Sequence, residues 1–274
     1  MRTLPDMFTL DSKSALVTGA SKGIGRAVAL GLAEAGADVA LLARSTSLLE
    51  EVAEEVEKRG RRALALTCDV SDPVQVRAAV STAVAEFGQV DVVVNNAGGF
   101  DFAGPFLDLE PSDWTQVMRV NFESVVHVCQ AVGRHMVRRG TGSLINMSSI
   151  AGLAGVPMLS TYAAAKAAIL SLTRTLAAEW AGSGVRVNAL TPGWISTELT
   201  KNFVGSPEAS AGLLHAVPAG RWGQPEDVVG PAVFLASDAA RFVTGTCLTV
   251  DGATTAYVGG PAMVDLLALG RIPT

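Results

Sequence analysis

Tyr162 and Lys166 stand four residues apart in the stretch Ser160-Thr161-Tyr162-Ala163-Ala164-Ala165-Lys166. On a helix that spacing puts a phenol and an ammonium on one face. A phenol with its ordinary pKa of about 10 moves protons poorly at neutral pH. Bringing it to about 7 takes roughly 4 kcal/mol, which one charge about 4 Å away supplies at an effective dielectric of about 20. The spacing predicts an acid–base pair with a lowered tyrosine pKa, provided that something reactive lies beside it. Taken alone, the pair favours the plainer reading of an amphipathic tyrosine beside a snorkelling lysine.

A second constellation is Thr18-Gly19-Ala20-Ser21-Lys22-Gly23-Ile24-Gly25. Glycines at a strand-to-helix junction let the backbone turn tightly and approach a pyrophosphate, which rests on the helix N-terminus. The spacing is G-x-x-x-G-x-G rather than G-x-G-x-x-G. At the end of the next strand, where a carboxylate would receive a ribose, the chain has Ala43-Arg44. Arg44 and Lys22, with no carboxylate, favour NADP over NAD as the dinucleotide; the alternative is an Arg44 directed to solvent. Asp69-Val70 is placed to meet an adenine edge. Asn95-Asn96-Ala97-Gly98 can tie strands together and leave room for a ribose, or is simply a tight turn.

These groups need a frame. Short apolar runs predict strands at Ser14–Thr18, Asp38–Ala43, Ala63–Cys68, Val90–Asn95, Ser143–Met147, Val185–Leu190 and Cys247–Val250. Helical patterns lie between them, at Gly25–Ala35, Ser47–Arg59, Pro73–Phe87, Trp114–Arg139, Thr161–Ala181 and Pro225–Ala236. The alternation predicts an α/β chain with a single Rossmann-like domain over 1–274. Its doubly wound parallel sheet has about seven strands, with helices on both faces. The poorly periodic stretch 192–223 is expected to be a substrate lid, and 259–274 a short apolar tail.

Composition excludes other classes. With 49% hydrophobic and 17% charged residues the chain can build a large core. A net charge of −5 gives no reason to bind nucleic acid. The basic run Lys58–Arg62 reads as a solvated helix end. Cys68, Cys129 and Cys247 have no metal or disulfide spacing and read as reduced thiols, as in a cytoplasmic protein. His127, His135 and His215 form no cluster. No signal peptide or membrane-length apolar run is expected.

In this order and at these separations, the chain resembles the short-chain dehydrogenases/reductases from about Leu10 to Gly252. The matching segments are Thr18–Gly25, Asp69, Asn95–Gly98, Asn121, Asn146-Met147-Ser148-Ser149, Tyr162-x-x-x-Lys166, Pro192-Gly193 and Val250-Asp251-Gly252. The resemblance implies a catalytic set of Asn121, Ser149, Tyr162 and Lys166, with Ser149 chosen over Ser148 by its distance from Tyr162. It implies cofactor contacts at Gly19, Ser21, Lys22, Gly23, Ile24, Gly25, Arg44, Asp69, Val70, Asn96, Ala97, Gly98, Pro192, Gly193, Ile195 and Thr197, besides Tyr162 and Lys166. NADP(H) is the preferred cofactor, NAD(H) possible, and no metal is expected. Asn121 is expected at a distortion of the long helix, its amide holding a water between Lys166 and solvent. Ala253 departs from the glycine usual there.

The implied reaction is hydride transfer between nicotinamide and a ketone or secondary alcohol, with Tyr162 as general acid/base. The pocket is expected to be lined by Gly99, Phe100, Phe102, Ile150, Leu153, Val156, Trp194, Leu199 and Phe203, which suits a neutral substrate; Asp101 either selects hydroxyls or caps a loop. A homotetramer is expected, with no nucleic acid or membrane partner. Two alternatives stay open: a 3-oxoacyl-thioester reductase docking a carrier protein through Arg134, Arg138 and Arg139 near the mouth, and a non-catalytic NADP sensor.

Overall fold

A computed structural model describes residues 3–100, 103–256, 266 and 268. The predicted tail falls almost wholly outside these residues, as do Asp101 and Phe102. The strands are β1 (Ser14–Thr18), β2 (Asp38–Ala43), β3 (Ala63–Thr67), β4 (Val92–Asn95), β5 (Gly142–Met147), β6 (Val185–Pro192) and β7 (Cys247–Val250). They form one parallel sheet in the order β3-β2-β1-β4-β5-β6-β7. The order reverses beside β1, and a crevice opens there at the C-terminal strand ends. Runs such as Val92-Val93-Val94 are buried on both faces, as a parallel sheet covered by helices requires. One core cluster packs Leu32, Leu41 and Leu235 on one face. The other packs Val93, Val132 and Ile169 on the opposite face.

The helices are α1 (Leu4–Phe8), α2 (Gly23–Glu34), α3 (Thr46–Glu57), α4 (Pro73–Phe87), α5 (Pro111–Met118), α6 (Ser124–Arg139), α7 (Ser160–Trp180), α8 (Lys201–Val204), α9 (Pro207–His215) and α10 (Val229–Ala236). The single helix expected over Trp114–Arg139 is α5 and α6 joined by a π turn at Arg119–Glu123. The region 192–223 carries α8 and α9 and is closed at its base by a parallel bridge between Ile195 and Gly223. The turn before α10, Pro225–Val228, is 3₁₀.

The basic run after α3 is not merely solvated. Arg61 pairs with Asp38 at 3.2 Å. Arg62 donates to the Glu86 carbonyl at 2.7 Å and lies 5.0 Å from the Phe87 ring centroid. These cations stitch the start of β3 to β2 and α4. At the same edge of the sheet Arg139 donates to Asp91 at 2.9 Å, and Asp91 also accepts from the Ser14 N–H at 2.9 Å.

Candidate active site

The glycine turn has a definite reason for each glycine that matters. Gly19 has φ +64°, and a Cβ there would lie 2.9 Å from the Ala97 Cα. A Cβ on Gly25 would lie 2.2 Å from the Gly19 carbonyl oxygen, so α2 can start against the turn only without one. The N-cap of α2 is Lys22, which makes no capping bond with its side chain. The first-turn N–H groups of α2 are thus left for a ligand of negative charge. α3 likewise begins without a side-chain cap at Ser45, next to Arg44. Ser45 was not singled out from the sequence; an uncapped serine beside a cation was the available signal.

The paired asparagines reach in opposite directions. Asn95 donates to Asn146 Oδ1 at 2.9 Å and ties β4 to β5. Asn96 donates to the carbonyls of Thr18 and Gly19, at 3.0 and 3.3 Å, and ties β4 to β1. Asn146 continues to the Thr173 hydroxyl on α7 at 2.9 Å. Asp69 accepts from the N–H and hydroxyl of Ser71 through one carboxylate oxygen. Burial works against its charge, but the Ser71 bonds and the nearby Arg44 and Arg119 hold it below the usual carboxylate range.

Tyr162 lies in the first turn of α7, where the helix dipole favours negative charge. The Ser149 hydroxyl lies beside the phenol and favours its ionised form. Ser149 precedes the 3₁₀ turn Ile150–Gly152 and accepts from the Ala151 N–H at 3.2 Å. Lys166 is buried; its Nζ lies 5.4 Å from the Tyr162 ring centroid and donates to the Met147 carbonyl at 3.0 Å. Gly98 lies between Lys166 and Asn121: a Cβ there would sit 3.2 Å from Lys166 Nζ and 2.6 Å from Asn121 Oδ1. Asn121, Ser149, Tyr162 and Lys166 thus gather at the C-terminal end of the sheet, beside the crevice.

Two expectations are corrected here. The tyrosine pKa does not fall: burial pushes Tyr162 up to about 12, with Ser149 pulling the other way. Burial lowers Lys166 to about 8. Desolvation of the buried phenol outweighs the opposing pull of Ser149. Second, Asn121 does sit in a distorted turn, but both hydrogens of its amide are taken, which leaves only its oxygen to meet a water. It donates to the carbonyls of Gly99 at 2.6 Å and Val117 at 2.9 Å, while its oxygen accepts from the Gly99 N–H at 3.0 Å. That side chain clamps the Gly98-Gly99 loop and has no hydrogen left for a water.

The mouth beside Tyr162 is formed by three segments. Phe100 packs edge-on against the Tyr162 ring at 5.4 Å. A Cβ on Gly99 would lie 3.6 Å from Leu199. The Gly104 N–H donates to the Met158 carbonyl at 2.9 Å, joining the loop after Gly99 to the segment before α7. Thr197 approaches the turn at Gly23, where a Cβ would meet it at 3.5 Å. Met158 was missed as a lining residue. Conversely Ile150 is buried, and Trp194 turns to Trp222 and lines a neighbouring cavity of about 190 Å³ with Val217 and Arg221.

Arg134, Arg138 and Arg139 are not near the mouth. α6 starts beside Asn121 and ends where Arg139 meets Asp91 at the start of β4. At ~1.5 Å per residue the arginines lie roughly 20 Å or more from Asn121, toward the opposite edge. Among the described residues no His/Cys/Asp/Glu group could hold a metal. The three cysteines are free, and no helix is long and apolar enough to cross a membrane. His127 and His135 contact the backbone at Val70 and Val90.

A family model described as enoyl-(acyl carrier protein) reductase matches residues 19–255. Gluconate 5-dehydrogenase of Gluconobacter oxydans (strain 621H) is 40% identical over 251 residues, 92% of this chain and 98% of that one. The 2-dehydro-3-deoxy-D-gluconate 5-dehydrogenase of Dickeya dadantii (strain 3937) is 41% identical over 248 residues, 89% of this chain and 96% of that one. The crystal structure of a gluconate 5-dehydrogenase from Burkholderia cenocepacia J2315, in complex with NADP and tartrate, superposes with a TM-score of 0.90 at 41% identity. It covers 93% of this chain and 100% of that one. The chain belongs to the short-chain dehydrogenase/reductase family.

Proposed function

We propose that the protein is an NADP(H)-dependent oxidoreductase that interconverts a ketone and a secondary alcohol, with Tyr162 as general acid and base. The observation that carries this reading is Tyr162 in the first turn of α7, beside Ser149 and one turn from Lys166, at the mouth of a glycine-lined crevice. The crevice fits a dinucleotide. Its turn lacks the Cβ atoms that would block a pyrophosphate, and the open α2 N-terminus supplies donors. Lys22, Arg44 and the open start of α3 suit a 2′-phosphate. Asp69 keeps an oxygen for an exocyclic amine. Val70, Ala97, Pro192, Gly193 and Ile195 would flank the rings and ribose, and Ser21 and Ile24 complete the turn.

When bound, NADP(H) supplies the hydride at its nicotinamide C4. The carbonyl oxygen gains charge as its carbon receives that hydride. Ser149 donates a hydrogen bond to the oxygen and Tyr162 gives up its proton to it, leaving a tyrosinate. A phenol kept protonated to about pH 12 is in the form that reduction requires. The Lys166 ammonium and the α7 N-terminus stabilise the tyrosinate until solvent restores its proton. Asn121 holds the Gly98-Gly99 loop in register with Lys166.

Tyr162→Phe tests the assignment. Turnover of any ketone should fall at least about a thousand-fold, while NADPH binding, followed by fluorescence, stays within about twofold. Retained turnover would remove Tyr162 from the chemistry. The segment 192–223 acts as the lid of this site. The groove of α6 and α7 lined by Cys129, Gly133, Val137 and Trp180 is a subunit contact of a homotetramer, which light scattering would test. Reduced, unpaired cysteines support a cytoplasmic location.

A further inference from the structure

From the mouth of the site we infer that the substrate is an uncharged, largely apolar ketone or its alcohol, such as an aryl or cyclic ketone, rather than a sugar acid of the kind named for the relatives. The inference rests on the hydride-transfer reading above and specifies its substrate. Three segments wall the mouth: 98–110 (without residues 101 and 102, which lie outside the described residues), 150–160 and 193–203. The first has no Lys, Arg or His, and the second has no charged or amide side chain at all. The third has one cation, Lys201, which donates to Glu198 in an ion pair. The Thr200 hydroxyl is committed to the Ile195 carbonyl at 2.7 Å. Among the described residues these walls leave no uncommitted cation to hold a carboxylate, only neutral donors such as Asn202, and a carboxylate leaving water without a charged partner is disfavoured. Lys22 and Arg44 stand at the glycine turn and the end of β2, on the cofactor's side, and face the carboxylates of Glu198 and Asp69.

What the walls do present is apolar. Leu153, Met158, Leu199 and Phe203 are all more than a third exposed, and Phe100 covers one edge of Tyr162. Met158 is 54% exposed, on a backbone of φ +70°. A non-glycine residue in that conformation is strained. The Gly104 N–H on its carbonyl keeps it there, so a flexible thioether is displayed at the mouth at a cost to stability. A substrate with an apolar body would cover this surface, as ligands in apolar clefts do.

The test uses the full chain with NADPH and two ketones, acetophenone and 5-keto-D-gluconate. The expected kcat/KM for acetophenone is at least ten times that for the keto acid. Met158→Gly should lower the acetophenone value about tenfold, leave NADPH affinity unchanged, and hold or raise thermal stability by relieving the positive φ. A structural role for Met158 would instead move stability and both substrates together. Preference for 5-keto-D-gluconate, or an acetophenone value indifferent to Met158→Gly in folded protein, overturns the inference but leaves hydride transfer intact. Bound NADPH with no turnover of either ketone, or of a wider panel, overturns both.

Discussion

Ser148 binds Lys166 side chain to backbone, and the Lys166 side chain returns to the backbone of the residue before Ser148. The Ser148 hydroxyl donates to the Lys166 carbonyl at 2.8 Å, and the Lys166 ammonium donates to the carbonyl of Met147 at 3.0 Å. Gly152 completes the contact, since a Cβ there would lie 2.8 Å from the Lys166 carbonyl carbon and oxygen. The end of β5 is thus fixed to α7 one turn beyond Tyr162. Ser148→Ala should cost about 1 kcal/mol of stability. It should also lower kcat several-fold and displace the pH profile of kcat, with KM for NADPH little changed. An unaltered pH profile would reduce Ser148 to a packing residue.

Lys166 also governs stability as a function of pH. Its pKa is about 8 in the fold against its usual 10.5. Between those values the unfolded chain holds the extra proton, so stability rises with pH across that window. Below about pH 8 the fold bears the whole cost of burying the charge. Tyr162, raised from 10.0 to about 12, works in the opposite sense, and stability declines as pH climbs from 10 to 12. Lys166→Met should therefore be inactive yet more stable than the parent at pH 7, by on the order of 1–3 kcal/mol. Its urea midpoint should lack the gain between pH 8 and 10. A destabilised variant would show that the ammonium's bond to Met147 outweighs its desolvation.

Arg44→Asp should lower the preference for NADPH over NADH by about 1–3 kcal/mol, or roughly 5- to 150-fold, through loss of a charge-assisted contact and gain of repulsion. Ratios of kcat/KM for the two cofactors report it. An unmoved ratio would assign the phosphate to Lys22 and the α3 N-terminus.

Ala253 adopts φ +71° immediately after Gly252. An alanine in the left-handed region is strained by roughly 1 kcal/mol or more, partly offset in a glycine by greater unfolded-state entropy. Ala253→Gly should raise the melting temperature by one to a few degrees without altering kinetics. A lower melting temperature would mean that the methyl group has packing value exceeding the strain.

Much of the scaffold was legible because its signals are local. Buried valine and leucine runs placed all seven strands to within two residues, and Asp72-Pro73 marked the start of α4 at its observed position. Asn121 was readable as a point of distortion, but the partners of its amide were not, because Gly99 and Val117 are brought to it only by the π turn. The Tyr162 pKa was misjudged for a related reason. Helical spacing gives the separation of two side chains, whereas burial depends on Phe100 and the whole α7–sheet contact. Met158 went unnoticed because nothing in a Val-Pro-Met run signals a positive φ.

Because Asn95 and Asn96 brace β4 against both of its neighbours, the cofactor slot has a fixed width. The exposed side chains of 150–160 and 193–203, Leu153, Met158, Leu199 and Phe203, stand at its rim and take no part in that bracing. Exchange of these exposed positions alone should redirect the enzyme to new carbonyl compounds while its dinucleotide affinity and melting behaviour stay where they were. The division makes this chain a frame for grafting specificity.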